Sequence, residues 1–221
     1  MDIGILSSCS VFKDVDLASI DAVLHSAAAR EKTYAKSSYV YRQGDIVKSM
    51  GIVLEGRVRI ESTDVWGNTN LIGSGKPGSV FAETYAAVRD TPLMVDVVAD
   101  DDCRIVFLDV ARILAGDGVD DATGMQVTRN LVLTFAQKNL GLSRRIMHST
   151  PKTIRARLVS YLSYEATKHG SSEFDIPYDR QRLADYLSVD RSALSSEIGK
   201  MQREGLLDAR RSHFILKSPL E

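Results

Sequence analysis

Apolar residues along this chain recur at helical spacing, then at strand spacing, then at helical spacing again, and each change of period marks a change of structure. Within the first 35 residues, Leu17, Ile20, Val23 and Leu24 share one face of a short helix expected to pack across the segment that follows. From Ser38, short runs rich in Val, Ile, Tyr and Leu take over: Tyr39 to Tyr41, Gly51 to Leu54, Arg57 to Glu61, Asn70 to Ile72, Val95 to Ala99 and Arg104 to Leu108. Turn formers stand between them (Gln43-Gly44-Asp45, Glu55-Gly56, Gly67-Asn68, Lys76-Pro77-Gly78, Asp100 to Asp102), so the runs read as strands joined by tight turns. Such spacing predicts a closed or double-sheet β domain of jelly-roll type.

After Ala111 the period lengthens. Met125, Thr128, Val132, Phe135, Asn139, Leu142 and Ile146 follow at alternating intervals of three and four. That repeat is a coiled-coil seam and predicts a long helix that dimerises; the alternative is a single helix lying on the β domain. Asn139 fits a polar seam residue that fixes register at some cost in stability. Ser149 to Lys152 reads as a connector, with Thr150 as cap and Pro151 opening the next helix, Thr153 to Lys168, which buries Ile154, Leu158, Tyr161 and Leu162. The divisions expected are a β domain over 1–115, a helix and hinge over 116–150, and a third domain over 151–221.

The C-terminal pattern has two faces. Asp179 caps a helix burying Leu183, Ala184 and Leu187, Ser188 and Val189 turn the chain, and Asp190 caps a second helix with Leu194, Ile198 and Met201 inward. At about 100° per residue, Ser192, Ser196, Gly199, Lys200 and Arg203 then face outward, with Arg191 and Ser195 along the flank. Small residues there permit close approach to a major groove, and the cations can meet bases or phosphates. The alternative is an ordinary helical hairpin with a solvated face. Against it, Leu206 and Leu207 lead through Asp208 to Ser212 into a short strand, His213 to Leu216, which makes a wing with Arg210 and Arg211 at its tip.

Composition narrows the classes. Hydrophobic residues are 44% of 221, enough for cores in two domains, and no apolar run approaches the roughly 18 residues of a membrane span. Without a basic-then-apolar leader, a soluble cytoplasmic protein is expected. The net charge is −1, and residues 151–221 hold 12 Lys and Arg against 10 Asp and Glu, so DNA affinity must rest on a few placed cations. Cys9 and Cys103 offer neither a disulfide framework nor a four-thiolate cluster. An enzyme is disfavoured, because no Ser, His and Asp set and no Gly-rich phosphate loop is present, and the β segment has no His for a cupin-like metal centre.

Three stretches, YRQGDIVKSMGIVLEGRVRI at 41–60, KPGSVFAETYA at 76–86 and Asp179 to Leu207, resemble in that order the early strands, the ligand cassette and the recognition motif of the CRP/FNR family of bacterial transcription regulators. The resemblance covers almost the whole chain. It implies an α+β protein with an N-terminal antiparallel double-stranded β-helix (jelly roll) that senses an effector, a long dimerisation helix and a C-terminal winged helix-turn-helix. The implied partners are a second copy, palindromic double-stranded DNA and RNA polymerase. By alignment Arg191, Ser192 and Ser196 take base-reading positions, with Ser195 beside them. Better-known members carry Glu at the second and Arg at the third, so a different half-site is expected. Arg180, Gln181, Lys200, Arg203, Arg210 and Arg211 are the expected phosphate contacts. Ser188 replaces the usual turn Gly, which costs on the order of 1 kcal/mol if its φ is positive.

Cyclic-nucleotide binders of that family use a Gly-Glu pair for ribose and an Arg-Ser pair for the cyclic phosphate. Here Glu83 follows Ala82, and the strand that would carry Arg-Ser reads Leu93, Met94, Val95, which disfavours cAMP, with Arg89 the nearby cation able to serve it. Iron-sulfur members need four cysteines and haem members need axial ligands; with two cysteines and no His between His25 and His148, neither cofactor is expected. What remains is an apolar pocket of Glu83, Thr84, Arg89, Leu93, Met94, Val95, Lys138 and Asn139, open to an organic effector or filled by side chains. The alternatives are a cyclic-nucleotide-dependent regulator, and a β-roll ligand-binding module whose serines at 192 and 196 impair DNA binding.

Overall fold

The structure, a computed structural model, describes residues 3–67, 69–88 and 90–217. It divides into two compact units, Met1–Ala136 and Gln137–Glu221. In the first, α1 (Ile3–Ser7), a 3-10 turn (Ser10–Phe12) and α2 (Leu17–Ser26) precede β1 (Arg30–Tyr34), β2 (Tyr39–Tyr41), β3 (Ser49–Glu55), β4 (Val58–Thr63), β5 (Thr69–Gly75) and β6 (Val80–Phe81). Then come α3 (Glu83–Ala87), β7 (Asp96–Ala99), β8 (Cys103–Asp109), α4 (Val110–Ala115) and α5 (Asp121–Ser149), which ends in the second unit.

Two four-stranded antiparallel sheets, ordered β1-β8-β3-β6 and β2-β7-β4-β5, enclose a core that includes Val53, Phe81, Val97, Ile105 and Phe107. The two central strands of the first sheet, β3 and β8, are buried on both faces. Their alternate residues Ile52, Leu54, Val106 and Leu108 pack with Ile20, Val23 and Leu24 of α2 and Leu131 of α5, which is why β3 and β8 read as continuous apolar runs. The helix predicted in the first 35 residues is therefore present, but Leu17 points to solvent: Asp16 caps α2 directly before it and sets the inward face at Ile20. β1 escapes sequence reading because Arg30 to Thr33 are exposed; its place is set by backbone pairing with β8, Arg30 opposite Phe107. Gly56, at φ 74, is confined by the Asp102 carbonyl, against which any Cβ would collide.

Along α5, Val127, Asn130, Leu131 and Thr134 face inward, and the Asn130 amide donates to the carbonyls of Val11 (3.1 Å) and Lys13 (2.7 Å). The seam residues Met125, Val132, Leu142 and Ile146 are instead 56–72% exposed, Thr128 and Phe135 are half-buried and Asn139 is exposed.

The second unit continues with α6 (Ile154–His169), β9 (Glu173–Asp175), α7 (Arg180–Leu187), α8 (Arg191–Arg203), β10 (Leu207–Arg210) and β11 (His213–Leu216), with the strands in the order β10-β11-β9. Thr153, not Thr150, caps α6: its hydroxyl accepts from the Ala156 N–H (3.1 Å), while the Thr150 hydroxyl donates back to the Ile146 carbonyl (2.6 Å) and finishes α5. Pro151 falls between the two helices, where its missing N–H costs nothing. Among the described residues, no helix is long and apolar enough to cross a membrane.

Candidate nucleic-acid interface

Two aspartates start the two helices of the motif. Asp179 accepts from the Arg182 N–H (2.8 Å) and Asp190 from the Ala193 N–H (2.9 Å). Ser188 makes the turn in the left-handed region, φ 54 and ψ 52. Arg157 of α6 supports it from outside the motif. Its Nη1 donates to the carbonyls of Leu187 (3.1 Å) and Ser188 (2.8 Å), and its Nε to Pro151 (2.7 Å), so carbonyls left over at the end of α7 are satisfied. With Leu194, Ile198 and Met201 buried, the other side of α8 lies bare: Arg191, Ser192, Ser195, Ser196, Lys200 and Arg203 are all exposed. The Ser192 hydroxyl donates to the Asp190 carboxylate, which leaves its lone pairs as acceptors.

The wing is the β10–β11 hairpin, with Arg210 opposite His213 and Arg211 at φ 55 in the turn. Arg210 and Arg211 are exposed, as the sequence predicts for a wing tip. Arg180 is only half-exposed. It donates to the Arg211 carbonyl (3.3 Å), lies over the Phe214 ring (5.5 Å) and is pulled below its ordinary pKa by burial, so it braces the wing turn from beneath. Gln181 is exposed and donates to Asp185 (2.8 Å).

Three residues that periodicity did not single out hold this unit together. Arg155 of α6 donates from Nε to Glu197 (2.6 Å) and from Nη1 and Nη2 to Glu204 (2.8 and 3.0 Å). Arg157 supports the turn as described. His148, near the end of α5, is fully buried, its Nδ1 3.0 Å from the Ser160 hydroxyl and its ring against Tyr161, Tyr164 and Tyr186 at 5.4–6.0 Å. Burial pushes the Tyr186 phenol up to about 12 and Tyr161 up as well, so both keep their protons. The available signals were weak: an Arg on each side of Ala156 just before a buried Leu, and a His out of phase with the seam.

Residues 31–115 match the cyclic nucleotide-binding domain, and residues 156–219 match the Crp-like helix-turn-helix domain. The chain belongs to the CRP/FNR family of transcription regulators. Electron transport regulator A of Shewanella oneidensis is 19% identical over 85% of this chain and 74% of its own length. The transcriptional activator protein FnrA of Stutzerimonas stutzeri is 21% identical over 92% of this chain and 83% of its own. The solved structure of CprK complexed with OCPA shares the fold at a TM-score of 0.64 and 16% identity, covering 89% of this chain and 91% of that one.

The CRP/FNR ligand cassette lies at the start of α3. Ala82 adopts φ 59 and ψ 8 where the family's cyclic-nucleotide binders place Gly, and Glu83 behind it is buried. Leu93 is buried, Met94 and Thr84 are exposed, and Val95 is half-buried. Residues 93–95 do not form the strand expected of them. The Leu93 N–H donates to the Asp45 carbonyl (2.9 Å) and its carbonyl accepts from Gly44 (2.8 Å), so its backbone is committed to the neighbouring turn and β7 begins at Asp96. Arg89 lies outside the described residues. Lys138 and Asn139 belong to the second unit, where both are exposed. Cys103 is buried, its thiol donating to the carbonyls of Arg57 (2.9 Å) and Asp101 (3.1 Å).

Proposed function

We propose that this chain is a homodimeric, sequence-specific DNA-binding regulator whose two copies of α8 enter successive major grooves of a palindrome about 34 Å apart. The observation that carries the reading is the exposed face of α8, polar and cationic throughout, on a helix whose opposite face is sunk in its domain core. Arg191 reads a guanine edge bidentately. Ser192, Ser195 and Ser196 make the shorter contacts, Ser192 as an acceptor. Gln181, Lys200, Arg203, Arg210 and Arg211 meet phosphates, and Arg180 acts by bracing the wing turn that presents the last two. The two copies join along the α5 seam, where apolar side chains stand exposed at heptad spacing.

Functionally the chain divides into a sensing β-roll over 1–115, a dimerisation helix and hinge over 116–150 and a winged DNA-binding domain over 151–221. Glu83, Thr84, Leu93, Met94 and Val95 surround the effector position, with Leu93 where a cyclic phosphate would need Arg. An organic effector is therefore favoured over cAMP, haem or an iron-sulfur cluster. The protein works in the cytoplasm, with RNA polymerase as a further partner, and catalyses no reaction. Selection from a random DNA pool by the purified protein at two salt concentrations tests this reading. The expected product is a palindrome with half-site centres one helical turn apart. Binding that depends on salt alone, with no enriched sequence, removes it.

A further inference from the structure

Arg155 grips the recognition helix at two separate points. Its Nε donates to Glu197 in the body of α8, and its two terminal nitrogens donate to both oxygens of Glu204 at the helix C-cap. Glu197 and Glu204 are seven residues apart, so their backbone anchors lie on one side of α8 about 10 Å apart along its axis, while both carboxylates converge on the one guanidinium. One contact would act as a pivot, whereas two fix both the rotation of α8 about its axis and its tilt against α6. The buried Leu194, Ile198 and Met201 hold α8 to the domain through apolar contacts, which are non-directional and tolerate rocking. A planar guanidinium with all three nitrogens engaged does not tolerate it, and a lysine ammonium cannot reproduce the fork. The side chains are 35%, 21% and 36% exposed, so the network is sheltered enough to hold one geometry.

We propose that Arg155 is a positioning residue for DNA reading: it sets the angle at which α8 presents Arg191 and its neighbouring serines to the groove. The assignment rests on the DNA-reading function proposed above. The test uses the full chain and two probes, the duplex most enriched by the wild-type protein and a scrambled duplex of equal length. The readout is the ratio of the two affinities. Arg155→Met keeps the stem and removes the fork, and the ratio is expected to fall by about tenfold or more.

Arg155→Met also leaves two carboxylates without their cation, which weakens binding to any DNA. The triple variant R155M/E197Q/E204Q removes that charge. Positioning predicts that its ratio stays low; recovery of the wild-type ratio would assign the effect to charge and overturn the proposal. Arg155→Lys, which restores the charge without the fork, is expected to regain affinity for both duplexes while the ratio stays depressed. A ratio within about twofold of wild type in Arg155→Met also overturns it. If Arg155→Met does not fold, Glu204→Gln, equal in size, takes its place and an unchanged ratio there counts against the proposal. A wild-type protein that enriches no duplex fails the DNA-reading function and the proposal with it, whereas enrichment with an unchanged variant ratio fails the proposal alone.

Discussion

Ser188 holds a conformation that its Cβ disfavours, φ 54 in the turn between α7 and α8, and it is kept there by hydrogen bonds from Arg157 to the Leu187 and Ser188 carbonyls. Those bonds reach the backbone, so they survive Ser188→Gly. The substitution relieves the left-handed strain at the cost of a more flexible unfolded chain, and a net stabilisation of about 0.5 kcal/mol is expected in urea unfolding. His148 predicts a pH dependence of stability. Burial holds its imidazole below the ordinary value of 6.5, with Glu165 opposing and Arg144 adding to the shift. The folded protein therefore keeps His148 neutral where the unfolded chain takes up a proton. Its contribution to stability is present above pH 6.5 and is lost as pH falls below it. The melting temperature is expected to drop between pH 7.5 and 5.5, and His148→Gln is expected to flatten that drop; equal slopes by calorimetry would rule the histidine out.

At the level of elements, α5 shows how far periodicity reaches. Its inward stripe of Val127, Leu131 and Thr134 and its exposed seam both have helical spacing, and spacing alone does not say which of them meets the β-roll. The structure assigns the first to the chain's own core, packs Phe135 of the second against that core as well, and leaves Met125, Val132, Leu142 and Ile146 open. Leu142→Arg puts a cation into the proposed seam and is expected to give a monomer in sedimentation at micromolar concentration. Leu133→Arg, exposed on another side of the same helix, should remain a dimer. A wild-type monomer, or an effect of both substitutions alike, would remove the seam. Strands follow the same logic. β3 and β8 were legible because both their faces are buried, whereas β1 was not because pairing with β8, rather than apolar content, holds it.

For the whole molecule, with its net charge of −1, DNA affinity depends on where cations stand rather than on how many there are. Two arginines should therefore behave differently. Arg191→Ala is expected to cost about 1–3 kcal/mol on the selected palindrome and to relax preference at one base position. Arg211→Ala, at the wing turn, is expected to weaken binding to every duplex alike and to lower the salt slope by about one. Titrations of both variants on matched and scrambled duplexes at several salt concentrations separate the two roles. A uniform loss for Arg191→Ala would mean that it contacts phosphate and reads no base.

Helix starts, turn positions and the inward faces of α7 and α8 were determined by sequence alone, since a cap and a periodic face depend on residues within one or two turns of each other. The burial of Arg180 under the wing, the backbone bonds that tie Leu93 to the turn at Gly44 and Asp45, and the grip of Arg155 on α8 were decided only in the tertiary structure. Arg155 meets partners 42 and 49 residues away, and nothing in local spacing marks one charged residue as the partner of another so distant. Such pairings arise when packing brings the segments together, because the directional bonds that select them act only over contact distance.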